Sequence, residues 1–389
     1  MDFGLNEDQR LLQSAARKFA KEVLRPTAMK VEAEGGEVPS DMIQHMAELG
    51  YRGLDIPQEY GGLGFSCVDC AVIIEELVYG WFSASTYATN LGSGPILYGG
   101  SEAQKQKYLP MLSKTAAVSS FAITEEGAGS DASQVQTSAR RDAGDYILNG
   151  RKLYITNAHR ADIMVLFARS DINAPRGKGI SLFIVERGTP GFSIGQRFRG
   201  LAHEANPIWE VNFDNCRVPL ENRIGEEGEA FRYIQTGFSK SRAIYAIKCV
   251  GHAQSALDYA LAFASQRQQF GRPISSFQGI RFKVADLVTK IESARLMAYR
   301  ACQLADEKSE QAPTAAAMAK HLASNVAMEV AADAIQIMGG HGYVKDHPVE
   351  RFYREAKLFQ IGDGSSEVLR VLISRYANKC AADDLSVRL

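Results

Sequence analysis

Residues 124–131 form a short segment whose composition suits the binding of a polar ligand. The segment reads TEEGAGSD and combines two glycines with two hydroxyl side chains. Glycines let a backbone approach a ligand closely, and hydroxyls and backbone N–H groups can donate hydrogen bonds to a planar polar molecule. The same composition is typical of a surface turn. The segment by itself therefore leaves a ligand-binding loop and an ordinary turn as alternatives.

A second candidate places an aromatic ring beside a hydroxyl. Tyr154 and Thr156 are two residues apart in a strand predicted at residues 152–157, so their side chains share one face of that strand. This arrangement suits the face and the edge of a conjugated ring. An ordinary strand is the alternative.

A third candidate is the segment 267–273, RQQFGRP, where a predicted helix ends with two arginines. Cations near a helix C-terminus interact favourably with the helix dipole, and they can also bind a pyrophosphate. Both interpretations stay open from these residues alone.

The sequence predicts no metal or redox site. Cys67 and Cys70 form an isolated C-x-x-C, and none of the seven histidines has the spacing of a metal-binding pair. We expect two packed thiols. Six cysteines are too few for a disulfide scaffold, and the acidic start at residues 1–8 is unlike a secretory signal. These features favour a reducing, cytoplasmic location.

Three zones of different hydrophobic periodicity must position the candidate residues. Residues 1–118 predict an N-terminal helical domain, residues 119–230 a central antiparallel β domain, and residues 231–389 a C-terminal four-helix bundle. The fold class expected is therefore a multidomain α+β protein. A chain of 389 residues is long enough for such domains to bury their own cores.

Local signals predict where some elements begin and end. Asn6 and Gln9 form a capping box for the first helix, and Pro26 helps to end it. An Asn149-Gly150 pair predicts a type I′ turn joining two strands within residues 146–156. Further short strands are predicted at 163–168, 182–185 and 209–213.

The overall charge excludes some partner classes. Lys and Arg total 44 and Asp and Glu total 45, so the formal net charge is −1. This balance argues against nucleic acid and against an anionic membrane surface as partners. No apolar run approaches the roughly 18 residues of a membrane span.

Together these segments resemble the acyl-CoA dehydrogenase family over nearly the whole chain. Seven motifs follow in the family's order, at residues 58–62, 124–131, 152–157, 213–219, 267–273, 336–343 and 362–370. The resemblance implies a homotetramer that binds FAD and removes two hydrogens from the α and β carbons of an acyl-CoA thioester. It also implies an electron-transfer flavoprotein as the acceptor.

The resemblance assigns site residues position by position. Residues that line the flavin or the thioester entrance are Phe121, Ile123, Thr124, Gly129, Ser130, Tyr154 and Thr156. Residues that reach the FAD of a neighbouring subunit are Arg267, Phe270, Gln336 and Gly340, while Ser365 and Glu367 lie near the ADP part. Residues on the substrate side are Ser130, Tyr87, Phe238, Ser241, Arg242, Gly362, Gly364 and Arg370.

Several of these positions depart from the family pattern. Tyr154 stands where the family usually has Trp, and Ser239 replaces a frequent Asp beside the CoA. Ser365 and Glu367 stand where Thr and Gln are usual. A carboxylate at position 367 cannot donate a hydrogen bond and would repel a pyrophosphate, so its role stays open.

The resemblance places the catalytic base at Asp363, where the family usually has Glu. The other family position for the base aligns with Ser241, which cannot act as a carboxylate. Asp363 is therefore the one acidic candidate at the two positions. The alternative is a structural Asp in a Gly-Asp-Gly turn, where Asp bonds its own backbone.

Three positions that the resemblance places near the acyl group predict its size and shape. Gly362 stands where many straight-chain relatives have Tyr, which predicts extra volume beside Cα and Cβ. Tyr87 aligns with the pocket floor, and Phe82 replaces the Arg of relatives that act on glutaryl-type chains. We therefore expect a branched, alicyclic or otherwise bulky and short acyl-CoA. A nitroalkane-oxidase-like flavin oxidase with an Asp base, or a non-catalytic acyl-CoA- or FAD-binding relative, are the alternatives.

Overall fold

The structure is a computed structural model that describes residues 4–382. The outermost residues of the predicted domains 1–118 and 231–389 lie outside this range. The helices before the sheet are α1 (Glu7–Phe19), α2 (Arg25–Glu34), α3 (Ser40–Glu48), α4 (Cys67–Gly80), α5 (Phe82–Ala88), α6 (Ser93–Gly99) and α7 (Glu102–Lys114). The strands of the sheet are β1 (Ser119–Ala122), β2 (Ser138–Asp142), β3 (Asp145–Thr156), β4 (Ile163–Arg169), β5 (Ile180–Glu186), β6 (Phe192–Phe198), β7 (Ile208–Pro219) and β8 (Arg223–Ile224).

The rest of the chain is helical apart from one small hairpin. Its elements are α8 (Ala230–Gln266), β9 (Gln268–Gln269), β10 (Arg272–Pro273), α9 (Gln278–Asp306), α10 (Ala312–Met338), α11 (Gly340–Tyr343), α12 (Val349–Phe359) and α13 (Ser366–Ala382). The predicted order of N-terminal helices, central sheet and C-terminal helices is confirmed. No helix within residues 4–382 is both long enough and apolar enough to cross a membrane.

The chain forms two compact units. One contains the residues up to Glu34, Ser66–Ser85 and the residues from Ser239 onward, and its described part is mainly helical. The other contains Gly35–Phe65 and Thr86–Phe238, and includes the whole large sheet. The N-terminal helices are thus shared between the two units. The domain boundaries at 118 and 230 stay predictions.

The first helix begins as predicted but does not end at Pro26. The side chains of Asn6 and Gln9 form the expected capping box. The prediction for Pro26 is wrong, because the helical path continues through a π-helical stretch, Ala20–Leu24, into α2. A wider π turn avoids the clash of the proline ring with a preceding carbonyl, and the Thr27 hydroxyl donates to the Val23 carbonyl at 2.8 Å.

The sheet has the strand order β6-β7-β3-β2-β4-β5-β8, with β1 pairing to β4. Most pairs are antiparallel, as predicted for the central β domain, but β1 and β2 run parallel to β4. Because β2 and β3 intervene between β1 and β4, no hairpin forces these two strands to be antiparallel.

The type I′ turn predicted at Asn149-Gly150 is wrong. β3 runs through both residues and has an irregularity opposite β7 there, while Ala143 and Gly144 make the turn between β2 and β3. A Cβ at position 150 would lie 2.5 Å from the Thr137 hydroxyl oxygen. Glycine is therefore required by close packing between strands rather than by a turn.

Alternating side chains of β4 explain why the sheet is rigid. Ile163, Val165 and Phe167 are buried in one apolar cluster, and Met164 and Leu166 in a second one. Residues two apart share one face of a strand, so both faces of β4 are covered. The loops that leave this sheet are consequently attached to a fixed scaffold.

Candidate active site

A buried ion pair anchors the loop at residues 124–131. The Glu125 carboxylate accepts hydrogen bonds from the backbone N–H groups of Gln136 at 2.6 Å and Thr137 at 2.9 Å. The Lys152 ammonium lies 2.7 Å from the same carboxylate and donates to the Ile123 carbonyl at 2.8 Å. Burial lowers the pKa of Lys152 to about 8, while Glu125 acts in the opposite direction. The start of the loop is thus fixed to β3.

The other half of the same loop faces open space. Gly129 and Ser130 are exposed, and a Cβ added to Gly129 would meet no atom within 4 Å. The Thr124 carbonyl accepts the Leu153 N–H at 2.9 Å, which again ties the loop to β3. Phe121 is half-buried in β1 just before the loop. The loop therefore presents its backbone to any ligand in front of it.

Tyr154 and Thr156 both keep accessible side chains on β3. Tyr154 has φ +61° at an irregularity in the pairing of β3 with β7, and its side chain remains 55% exposed. Its ring centroid lies 4.8 Å from that of Phe198. Ile155, between the two, is buried, and Thr156 is half-buried. An aromatic ring and a hydroxyl are thus available side by side.

Tyr87 is enclosed among cationic and amide side chains in the unit that holds the sheet. The Arg160 guanidinium lies 5.8 Å from its ring, and burial raises the pKa of Tyr87 to about 12. Together with Arg52, Asn90 and Asn157 it lines a cavity of about 10 Å³, the lower limit for one water molecule. Phe238, at the end of the same unit, is half-buried against its apolar core. Their predicted substrate contacts stay predictions.

In the helical unit, a tight turn between α12 and α13 carries Asp363. Asp363 and Gly364 have φ values of +54° and +92°. The Gly362 N–H donates to the Leu358 carbonyl at 2.8 Å, and the Lys320 ammonium of α10 donates to the Gly364 carbonyl at 2.6 Å. The turn is therefore held on both sides of Asp363. Asp is one of the few residues that adopt left-handed backbone angles readily.

The Asp363 carboxyl lies among cations, and the residue as a whole is half-buried. One hydrogen bond connects it to the Ser241 side chain. Its Oδ2 atom is buried and has no hydrogen-bond partner among residues 4–382. Burial raises the pKa of Asp363, while Arg242, Lys320 and Lys248 act to lower it. A carboxyl that bonds another helix and keeps one oxygen available is unlike an Asp that serves only its own turn.

One face of α8 supplies most of the groups around this carboxyl. Ser241, Arg242, Tyr245 and Lys248 lie at spacings of one, four and seven residues, which puts them on one side of the helix. Burial lowers the pKa of Arg242, lowers that of Lys248 to about 8, and raises that of Tyr245. The carboxyl therefore meets a polar, positively charged helix face.

Tyr245 occupies part of the space that Gly362 was expected to open. A Cβ at position 362 would lie 3.0 Å from the Tyr245 hydroxyl oxygen. The extra volume expected beside Asp363 is therefore reduced on this side. Gly364 has more room, because a Cβ there would lie 3.7 Å from the nearest atom of Arg242.

A row of packed aromatic rings begins at Tyr245. The Tyr245 and Phe359 ring centroids are 5.8 Å apart, and those of Phe359 and Phe82 are 4.8 Å apart. The His252 ring packs 5.1 Å from Phe359, and burial lowers the pKa of His252 to about 4, so this ring is neutral at pH 7. The row is thus largely apolar and closely packed.

The residues predicted near the ADP part lie at the start of α13. The Ser365 carbonyl accepts the Leu369 N–H at 3.0 Å, so Ser365 directly precedes the first residue of that helix. Glu367 and Arg370 are exposed and their charged groups are 3.7 Å apart. Backbone hydrogen bonding lowers the pKa of Glu367. Arg370 therefore offsets part of the negative charge that made position 367 unexpected.

The residues predicted to reach a neighbouring subunit are all accessible in the single chain. Phe270 and Gly271 have φ values of +51° and +78° and form the turn between β9 and β10, and Phe270 is 93% exposed. Two consecutive positive φ values are typical of a type I′ turn. Arg267, Gln336 and Gly340 are exposed as well.

The sequence interpretation missed Tyr245, Lys248, Lys320 and Lys152. Lys248 carried a signal, because it is the one charge in the apolar stretch 243–250 and lies seven residues after Ser241. Lys320 donates to the Gly364 carbonyl, which is distant in sequence, and no local sequence pattern indicates this contact. Cys67 and Cys70 are buried. Within residues 4–382, no group of three or more His, Cys, Asp or Glu side chains is placed to hold a metal ion.

Family models match the chain in three consecutive segments. The N-terminal, middle and C-terminal domains of acyl-CoA dehydrogenase match residues 6–116, 120–216 and 228–377. The chain belongs to the acyl-CoA dehydrogenase family. It is an oxidoreductase that acts on acyl-CoA thioesters.

Known proteins resemble the chain over nearly its full length. An acyl-CoA dehydrogenase of Bacillus subtilis is 40% identical over 96% of this chain and 98% of its own. A cyclohex-1-ene-1-carbonyl-CoA dehydrogenase of Syntrophus aciditrophicus is 39% identical over 95% and 90%. The solved structure of PigA with FAD and proline superposes with a TM-score of 0.93, at 29% identity over 97% and 99%.

The cofactor of this chain is FAD. The features described above fit it: an open glycine-containing loop at residues 124–131, an accessible aromatic ring at Tyr154 and a hydroxyl at Thr156. These are the groups that a flat ring system with polar edges needs.

Proposed function

We propose that this acyl-CoA dehydrogenase oxidises a short, branched or alicyclic acyl-CoA at the bond between Cα and Cβ, with Asp363 as the base. The observation that carries the proposal is the carboxyl of the half-buried Asp363, which is bonded to Ser241 and keeps its buried Oδ2 atom without a partner among residues 4–382. A base with a raised pKa takes up a proton more readily than an ordinary aspartate.

The chain's own residues supply acid–base chemistry and water exclusion. The Asp363 carboxylate takes the α-proton, and the positive charges of Arg242, Lys248 and Lys320 favour the ionised form of the carboxyl, against the effect of burial. FAD, when bound, supplies the acceptor for the hydride that leaves Cβ, so that a carbon–carbon double bond forms. Exclusion of water strengthens each of these electrostatic interactions.

The proposed acyl class rests on the residues around the base and on one relative. Gly362 leaves room that a Tyr would fill, although the Tyr245 hydroxyl limits it. The packed rings of Phe82, Phe359 and His252 favour a short chain over a long one. The Syntrophus relative acts on an alicyclic thioester, as its name states.

Anaerobic bleaching of the bound flavin across a panel of acyl-CoA esters tests this class. Isobutyryl-, 2-methylbutyryl-, cyclohexanecarbonyl- and cyclohex-1-ene-1-carbonyl-CoA are compared with butyryl-, octanoyl- and hexadecanoyl-CoA. We expect a branched or cyclic ester to bleach the flavin fastest. Faster bleaching by octanoyl- or hexadecanoyl-CoA than by every branched or cyclic ester would contradict the proposal.

The same proposal includes a homotetramer, an electron-transfer flavoprotein as acceptor, and a reducing, cytoplasmic setting. The exposed Phe270 hairpin and the exposed Arg267 and Gln336 support an assembly in which these residues meet another subunit. The purified protein should be yellow, with one FAD per chain. A colourless monomer that takes up no FAD would count against it.

The Asp at the base position keeps a flavin oxidase as a second candidate. An oxidase would consume oxygen with a nitroalkane and would not reduce a dye acceptor with acyl-CoA. A dehydrogenase gives the reverse result, and a non-catalytic binding protein gives neither signal. One set of steady-state assays with both substrates therefore separates the three functions.

A further inference from the structure

His252 is a buried polar residue that the proposed chemistry does not use. Only 1% of its side chain is exposed, and the rings of Phe82, Phe352 and Phe359 pack around it with centroids 5.1–5.9 Å away. Burial of a polar group in such apolar surroundings is costly unless the group is hydrogen-bonded. The His252 Nε2 atom lies 2.9 Å from the Phe352 carbonyl oxygen. This contact connects α8 to α12.

The partner atoms define where the proton of this ring lies. A carbonyl oxygen only accepts hydrogen bonds, so Nε2 of His252 carries a proton and donates it. The other ring nitrogen, Nδ1, lies 3.8 Å from the carboxyl of Glu355, whose side chain is also 1% exposed. Burial lowers the pKa of His252 to about 4 and raises that of Glu355 to about 8, so both groups are mainly uncharged at pH 7.

Other charged groups near this pair modify the effect of burial without reversing it. They are Arg351, Arg354 and Glu350 of α12 and Glu32 of α2. The Arg351 Nε atom lies 3.5 Å from Glu355 Oε1, and neither atom has a hydrogen-bond partner among residues 4–382. The arginines favour the carboxylate form of Glu355 and the glutamates its acid form.

His252 shares one face of α8 with the residue that bonds Asp363. Ser241, which is hydrogen-bonded to the Asp363 carboxyl, lies eleven residues before His252, or about three helical turns. Both side chains therefore lie on the same side of α8. The helix is closely packed at this level, because Gly251 leaves no space for a Cβ against the Glu75 carbonyl of α4.

α12 leads directly into the turn that carries Asp363. The helix ends at Phe359, whose ring packs on His252. The Gly362 N–H then donates to a carbonyl in the last turn of α12 at 2.8 Å, so the turn is bonded to the helix. A shift of α12 along α8 would consequently move Asp363 relative to Ser241.

We propose that His252, as an uncharged ring with its proton on Nε2, is a positioning residue that fixes α12 against α8 and so holds Asp363 in place relative to Ser241. The proposal rests on the proposed role of Asp363 as base. A reacting group displaced by about 1 Å can lose on the order of 100-fold in rate. Loss of the His252 contact should therefore slow proton removal more than it weakens the binding of acyl-CoA.

Two substitutions separate the hydrogen bond of His252 from its volume. His252→Leu removes the donor, whereas His252→Gln keeps a side-chain N–H within reach of the Phe352 carbonyl. In stopped-flow reduction of the FAD-loaded enzyme, we expect His252→Leu to lower the limiting rate at least about tenfold and to change the dissociation constant of acyl-CoA less than about threefold. His252→Gln should recover most of the rate. A parent-like rate in His252→Leu, or equal losses in the two variants, would overturn the proposal.

Tyr259→Phe is the matched control, because it removes another contact between α8 and the segment that begins α12. The Tyr259 hydroxyl lies 3.0 Å from Nδ1 of His347, which directly precedes the N-cap residue of α12. This contact is at the end of α12 far from Asp363. Its loss should lower the Tm and leave the limiting rate unchanged. A loss of rate as large as that of His252→Leu would contradict a specific role for His252.

A further measurement does not depend on whether His252→Leu folds. Solid-state ¹⁵N NMR of the histidine-labelled enzyme shows which ring nitrogen carries the proton, and His252→Gln identifies the signals of His252. We expect a neutral ring with its proton on Nε2 at pH 7, and an imidazolium or a proton on Nδ1 alone would contradict the proposal. Normal bleaching by Asp363→Asn would contradict the proposed function instead, whereas a parent-like rate in His252→Leu contradicts only the role of His252.

Discussion

Asp363 is one methylene shorter than the Glu that the family resemblance predicts at this position, and we propose that the residues around it compensate for that difference. A shift of about 1 Å in a reacting group can cost on the order of 100-fold in rate. With Asp363 as the proposed base, the α-carbon of the substrate is therefore expected closer to the turn than it would lie beside a Glu. Gly362 permits that approach, and the Tyr245 hydroxyl, 3.0 Å from the Cβ position of residue 362, sets its limit.

A pair of substitutions tests this limit at the residue scale. Gly362→Ala should weaken the binding of branched and cyclic esters about tenfold, because its methyl group presses on the Tyr245 hydroxyl. Adding Tyr245→Phe removes that hydroxyl and should restore most of the loss. Dissociation constants from flavin bleaching of the parent, both single variants and the double variant give the coupling. Additive effects of the two substitutions would show that the groups do not share this space.

Helices and strands whose limits depend on neighbouring residues could be predicted from the sequence, whereas those that depend on tertiary packing could not. The capping box at Asn6 and the strand at residues 163–168 were predictable, because each depends on neighbours in sequence. The helix end predicted at Pro26 was wrong because a π-helical turn lets the helical path continue. The turn predicted at Asn149-Gly150 was wrong because Gly150 is required by a close approach to Thr137. A type I′ turn does occur, at Phe270-Gly271, where Phe gave no local signal for it.

The residues of the candidate site also fall into those that the sequence identified and those that it did not. The family motifs identified the loop at residues 124–131 and the Gly-Asp-Gly turn from sequence alone. They did not identify Lys152, Lys248 or Lys320, because these lysines act on groups brought close only by folding. The spacing along α8 was the one sequence signal available for Lys248.

The ion pair beneath the loop supports a prediction for β3. Lys152→Met leaves Glu125 buried without its cation and should lower the free energy of unfolding by about 3–5 kcal/mol. The exposed pair of Lys178 and Glu229, at 2.7 Å, provides the control, since Lys178→Met should cost less than about 1 kcal/mol. Urea titrations of the two variants measure both values. Equal losses would mean that burial of the first pair has no energetic effect.

At the scale of the whole molecule, the most exposed aromatic residue at the candidate site is at the tip of a hairpin. Phe270 is 93% exposed and its ring lies 6.1 Å from Phe277, so the single chain covers little of it. In the proposed homotetramer this hairpin meets another subunit. Such a contact would cover the exposed ring.

Phe270→Asp should therefore weaken both assembly and FAD retention while leaving the fold of the chain intact. We expect a shift toward smaller species in analytical ultracentrifugation and loss of FAD on dilution. Ile172→Asp is the control, because Ile172 is 82% exposed in a loop between β4 and β5 that the family motifs do not include. If Phe270→Asp retained both the tetramer and its FAD, the hairpin would not be part of the assembly.

The central claim is that Asp363 removes the α-proton, and flavin bleaching by Asp363→Asn tests it most directly. The substitution keeps the shape of the side chain and removes its ability to accept a proton. The variant should remain yellow and bind acyl-CoA, yet reduce its flavin more slowly by several orders of magnitude with the best ester of the panel. Bleaching at a rate near that of the parent enzyme would place the base elsewhere.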